Sequence, residues 1–156
     1  MKIGVVMGSS SDWGVMKQAI ETLSSFGVEY EVKVLSAHRT PKELEEWVVG
    51  LRSRGFASVI AAAGGAAHLA GVVAAFTTLP VIGVPIKGSA FEGMDSLLSM
   101  VQMPSGIPVA VVAVNGAKNA ALLAIEIMAV HDTDLENKMS LFRKEQSLKV
   151  LSSKLD

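Results

Sequence analysis

Residues 57–86, ASVIAAAGGAAHLAGVVAAFTTLPVIGVPI, contain no Lys, Arg, Asp or Glu. A run of that length is enough to span a bilayer as one helix. Its punctuation gives a different reading. Gly64-Gly65, His68, Thr77-Thr78, Pro80 and Pro85 interrupt the run at intervals that suit strand, turn, helix and strand. Ser58 to Ala62 is then a buried strand, about His68 to Phe76 a small-residue helix, and Val81 to Val84 a second strand bracketed by prolines. The stretch is a βαβ unit, not a membrane span.

Working outward, the same alternation recurs. Ile3-Gly4-Val5-Val6-Met7 is a short apolar, β-branched run ended by Gly8, and reads as a buried strand. Trp13 to Phe26 carries Val15, Met16, Ala19, Ile20 and Leu23 at helical spacing, with Gly27 as its stop. Tyr30 to Leu35 is the second strand. Pro41 opens a helix with Leu44, Trp47, Val48 and Leu51 as its dry stripe, and Gly55 closes it. Beyond residue 86, a helix is expected from about Asp95, as N-cap, to Val101. A fifth strand follows from Val109 to Val114, then a helix from Lys118 to Val130. Asp132 is expected to cap a last helix, from about 132 to 151. Strands apolar on both faces and alternating with helices imply a parallel sheet covered on both sides. Right-handed crossovers then favour a doubly wound, flavodoxin-like five-stranded sheet. No linker, repeat or second domain is visible, so residues 1–156 are expected to form one domain.

The totals narrow the function. Half the residues are hydrophobic, 19% are charged, and the mean hydropathy is +0.43, so part of the surface is expected to be covered by other subunits. A net charge of −1 gives no reason to expect nucleic acid or an anionic membrane as partner. With no cysteine there is no disulfide framework, thiolate nucleophile or cysteine metal site. Nothing resembling a signal peptide opens the sequence, and a cytoplasmic location is the expectation. Three histidines without a close ligand spacing give no reason to expect a metal. P-loop, GxGxxG and GxSxG patterns are absent.

In open parallel α/β sheets, ligands bind outside the carboxyl ends of the strands. The unusual residues fall at those ends. They are Gly8-Ser9-Ser10-Ser11-Asp12 after the first strand, Ser36-Ala37-His38-Arg39-Thr40-Pro41 after the second, Ala63-Gly64-Gly65-Ala66-Ala67-His68 after the third, and Gly83-Val84-Pro85 in the fourth. The serine turn offers hydroxyl and amide donors at a helix start, where an anion is favoured, and Arg39 adds a fork suited to phosphate. The same turn fits a plain N-cap. Asp12 fits either a helix cap or an acceptor for sugar hydroxyls. His38 can give or take a proton near neutral pH, or simply hold a loop. His68 opens an apolar helix and fits either capping or packing.

Together with Gly93-Met94-Asp95-Ser96-Leu97-Leu98-Ser99-Met100-Val101-Gln102-Met103-Pro104 and Asn119-Ala120-Ala121-Leu122-Leu123-Ala124, these motifs resemble the N5-carboxyaminoimidazole ribonucleotide mutases of purine biosynthesis. The resemblance covers nearly the whole chain. It implies a three-layer αβα sandwich assembled as a homo-octamer, acting on a small ribonucleotide without cofactor or metal. The implied reaction moves a carboxyl group from N5 to C4 of the imidazole by way of trapped carbon dioxide, with His38 shuttling the proton. By motif, Ser9, Ser11, Asp12 and Arg39 are substrate-binding positions. Ser36, Ala37 and the loop Ala63, Gly64, Gly65, Ala66, His68 and Leu69 line the pocket. Ala70 stands where many members have proline, implying a looser loop, and the Val109–Asn119 segment is shorter than in some. Two other readings stay open: a related carboxylase that adds free carbon dioxide to aminoimidazole ribonucleotide, and a noncatalytic nucleotide-binding module.

Overall fold

Every residue of strand β1 (Lys2–Met7) after Lys2 is buried, as an unalternating Ile/Val/Met run requires. The computed structural model describes residues 1–88 and 90–154. Four further strands, β2 (Tyr30–Val34), β3 (Phe56–Gly64), β4 (Val81–Ile86) and β5 (Ala110–Val111), pair in parallel with β1 in the order β2-β1-β3-β4-β5. This is the flavodoxin-like sheet expected from the alternation of strand and helix.

Helices α1 (Trp13–Ser25), α5 (Ala117–Ala129) and α6 (Thr133–Leu151) serve one core; α2 (Pro41–Val49), α3 (Leu69–Phe76) and α4 (Met94–Val101) serve the other. In the first core Ile3, Val5 and Met7 meet Met16 and Leu23 of α1 and Ala121, Ala124 and Ile125 of α5. In the second, Val6 and Val59 meet Leu44, Trp47 and Val48 of α2, Val73 of α3 and Met100 of α4. Each fully buried Leu, Ile or Met contributes about 1.5–3 kcal/mol by transfer from water, which is why the apolar stripes choose their faces. The first crossover helix lies on one face and the third on the other. The strand order therefore reverses between β1 and β3, and a crevice opens beyond their carboxyl ends.

Three details differ from the sequence expectation. β2 is an edge strand and only partly covered, with Tyr30, Lys33 and Val34 exposed, so it is not apolar on both faces. β5 is two residues long instead of six. Pro85 is the physical reason: Val112 N–H still donates to Gly83 O (3.1 Å), but Pro85 has no N–H to return the next ladder bond. The N-cap of α4 is Gly93, not Asp95, which sits inside the first turn. Gly93 has φ 92°, and a Cβ there would lie 2.6 Å from Val114 Cγ1, so only glycine fits. At α6, Asp132 does accept from the Leu135 N–H (3.1 Å) as an N-cap. Among the described residues, no helix is long and apolar enough to cross a membrane.

Candidate active site

Gly8 N–H donates to Ala62 O (3.0 Å), which carries the β1–β3 pairing one residue past β1 and aligns the serine turn with the end of β3. Ser10–Asp12 then form one 3-10 turn capped by Ser9, whose Oγ accepts from Ser11 N–H (3.2 Å). Asp12 Oδ2 accepts from Ser9 N–H (3.2 Å) in return, closing a capping box. The Ser11 hydroxyl donates to Ser9 Oγ (2.8 Å) and lies 3.4 Å from Asp12 Oδ1. Asp12 is buried, and burial pushes its carboxyl above the usual value; the Ser9 N–H, the Ser11 hydroxyl and the Arg39 charge pull it back only in part.

The second loop is tied into its own turn. Thr40 N–H donates to Ser36 O (2.9 Å), and Ser36 N–H to Thr40 Oγ1 (2.8 Å). Within that frame Arg39 Nε donates to Ser36 Oγ (3.3 Å), and Nη2 donates to Gly8 O (2.9 Å). The guanidinium is thereby stretched across the end of β1 to the serine turn. Asp12 feels its charge.

The third loop leaves β3 at Gly64, where a Cβ would lie 3.3 Å from Ile86 O, and turns through Gly65 at φ 63°. His68 occupies the N-cap position of α3 but makes no side-chain cap bond. Its Nδ1 instead lies 3.1 Å from His38 Nε2, the rings edge to face with centroids 5.1 Å apart. A hydrogen bond there has one ring nitrogen donating and the other accepting, the tautomers setting which is which. Ala70, the position where a looser loop is expected, is fully buried as the second residue of α3.

These loops enclose a cleft of about 540 Å³. Its walls include Ser9, Ser11 and Asp12 from the first loop, Ser36, Ala37, His38 and Arg39 from the second, and Ala63, Gly64, Gly65, Ala66 and Leu69 from the third. His68 is not on the wall; it reaches the cleft through His38. Ile86, Lys87 and Gly88 also line it, and sequence reasoning missed them because β4 runs to Ile86, past the Gly83–Pro85 end expected. Asn115 was missed too: its Oδ1 accepts from Lys87 N–H (2.9 Å) and fixes that rim. The Asn115-Gly116 pair closing the fifth strand was the signal available. A larger cavity, about 710 Å³, lies between Arg52, Thr77, Thr78, Pro80 and Pro108. Among the described residues, Arg52 is its only titratable lining residue and is committed to Thr78 Oγ1 (2.9 Å), so chemistry, not size, selects the smaller cleft.

The first cleft combines a serine turn, the Arg39 guanidinium, a buried carboxylate and a histidine pair 3.1 Å apart, with small apolar residues on its wall. The family model described as AIR carboxylase matches residues 2–149. The N5-carboxyaminoimidazole ribonucleotide mutase of Pyrococcus abyssi is 56% identical over 92% of this chain and 83% of its own. That of Vibrio vulnificus is 54% identical over 98% of this chain and 96% of its own. A solved structure titled Treponema denticola PurE superposes with a TM-score of 0.85 at 30% identity, covering 96% of this chain and 93% of that one.

Proposed function

The chain belongs to the AIR carboxylase family, and from that membership we propose that it is an isomerase, a mutase of purine biosynthesis. It interconverts N5-carboxyaminoimidazole ribonucleotide and 4-carboxy-5-aminoimidazole ribonucleotide. The observation that carries the reading is the His38–His68 pair at the mouth of a cleft that also holds Arg39 and the serine turn.

In this reading the substrate phosphate takes the Ser9–Ser11 turn and Arg39, where serine hydroxyls and a guanidinium converge, the Ser9 and Ser11 N–H groups being used within the turn. Asp12 accepts from ribose hydroxyls. The N5–carboxyl bond breaks, its electron pair stays on N5, and His38 gives N5 a proton. Carbon dioxide remains in the cleft. C4 of the resulting aminoimidazole attacks it, and His38 takes the proton that C4 loses. One proton leaves the histidine and one returns, so no external acid, base or cofactor is consumed. His68 orients the His38 ring. The small residues Ala37, Ala63 and Ala66 leave space for the gas while excluding water.

Residues 1–156 act as one catalytic domain in this reading, in the cytoplasm and as a homo-octamer. The exposed apolar side chains Val34, Phe91, Val130, Leu148, Val150 and Leu151 support subunit contacts. A second reading has one observation in its favour: a Saccharomyces cerevisiae phosphoribosylaminoimidazole carboxylase is 49% identical, with this chain spanning 27% of it. Supplying each ribonucleotide with and without bicarbonate separates the two. A mutase converts the N5-carboxylated compound without bicarbonate; a carboxylase requires bicarbonate with aminoimidazole ribonucleotide.

A further inference from the structure

We propose that Lys87 is the residue that selects the carboxylated ribonucleotide over its decarboxylated counterpart, by pairing with the substrate carboxylate; the assignment rests on the function proposed above. Lys87 leaves the carboxyl end of β4 and lines the cleft from the side opposite Arg39. The Arg39 guanidinium reaches Gly8 O at the end of β1, which in the order β2-β1-β3-β4 is two spacings, about 10 Å at about 4.8 Å each, from the strand end carrying Lys87. A ribonucleotide with a carboxylated base has its two anionic groups at opposite ends, phosphate and carboxylate. The cleft offers one cation source on each side.

The assignment of ends follows from the donors on each side. The Arg39 side has the serine hydroxyls beside the guanidinium, a donor set suited to phosphate; Asp12 there repels either anion and does not decide between them. Among the described residues, the Lys87 side has no carboxylate on the wall of the cleft. Lys87 does have an anionic partner, Glu92, with which it forms an ion pair; the two side chains are 50% and 70% exposed. Exposed pairs of this kind are weak and readily exchanged for another carboxylate. Glu92 is held at φ 54°, a conformation a non-glycine residue adopts at a cost, so the pair is a feature of this loop and not a default.

The base of the lysine is fixed, while its arm is held only by the exposed pair with Glu92. Ser96 Oγ donates to Ile86 O (2.9 Å) from a buried position, and Asn115 Oδ1 accepts from Lys87 N–H (2.9 Å). Asn115 N–H in turn donates to Pro85 O (2.8 Å). Three consecutive residues at the end of β4 are thus pinned, and the side chain alone exchanges between Glu92 and the substrate.

The test is calorimetric titration of the full chain with 4-carboxy-5-aminoimidazole ribonucleotide and, separately, with aminoimidazole ribonucleotide. Lys87→Met is expected to weaken the carboxylated ligand about tenfold or more and the decarboxylated one less than about twofold. Lys87→Arg restores most of the difference, and Glu92→Gln leaves the carboxylated ligand bound at least as tightly as in the wild type. Equal weakening of both ligands by Lys87→Met, or no change in either, overturns the proposal. Unchanged melting of Lys87→Met excludes a folding defect, and the Lys87→Arg arm decides the matter if that variant melts early. A wild-type chain that binds neither ribonucleotide refutes the proposed function instead, and is a separate outcome.

Discussion

His38 and His68 lie 30 residues apart in the chain, yet His38 Nε2 and His68 Nδ1 are 3.1 Å apart at the edge of the cleft. A hydrogen bond between two imidazoles fixes the orientation of the His38 ring, the group proposed to move the proton. His38→Asn is expected to keep ribonucleotide binding within a few-fold and to lose about 10²–10⁴ in turnover. Because the two rings act as a unit, the His38→Asn/His68→Asn double variant should be no slower than His38→Asn alone. Steady-state kcat of these two variants and of His68→Asn alone checks this; additive losses would separate the two residues.

Arg39 spans from Ser36 Oγ to Gly8 O, so its guanidinium is already aimed when substrate arrives. Arg39→Ala should raise KM about 10–100-fold, the loss of a charge-assisted contact worth roughly 1.5–3 kcal/mol, with kcat less affected. An unchanged KM would remove Arg39 from phosphate binding.

Asp12 carries a stability cost that its site role explains. Burial raises its folded-state pKa above the ordinary 3.8, so ionised Asp12 works against folding at neutral pH, and this cost disappears as pH falls below that ordinary value. Asp12→Asn should raise stability at pH 7 by about 1 kcal/mol while weakening ribonucleotide binding. Thermal melts from pH 7 to pH 3 should show the variant's advantage shrinking on the acid side. A variant less stable than wild type at pH 7 would contradict the burial account.

Glu31 on β2 shows the opposite sign. It accepts from Trp47 Nε1 (2.7 Å) and Arg54 Nη2 (2.9 Å), the Trp47 bond being the main cause of a carboxyl held below the ordinary 4.5. Its contribution is present above 4.5 and lost as pH falls through the lowered folded value. Glu31→Gln mimics the protonated form. It should cost on the order of 1 kcal/mol at pH 7, and the gap from wild type should close in acid. A gap independent of pH would mean that the charge is not what Trp47 and Arg54 use.

Most of the sheet was legible because β1, β3 and β4 are unalternating apolar runs and burial on both faces leaves them one reading. The crevice followed, since polar loops at strand ends point to it. What was not legible depended on single atoms. The missing N–H of Pro85 cuts β5 short, and a 2.6 Å approach to Val114 makes Gly93 the cap of α4 in place of Asp95. The His38–His68 contact and the Asn115 bond to Lys87 join residues distant in sequence, and no local pattern encodes them.

In the proposed reaction, carbon dioxide released from N5 stays in the cleft until C4 captures it. The most direct test supplies N5-carboxyaminoimidazole ribonucleotide with a ¹³C carboxyl group in unlabelled bicarbonate and measures ¹³C in the product by mass spectrometry. The account predicts that the C4 carboxyl keeps the label. Product carrying the isotope composition of the dissolved bicarbonate would contradict it.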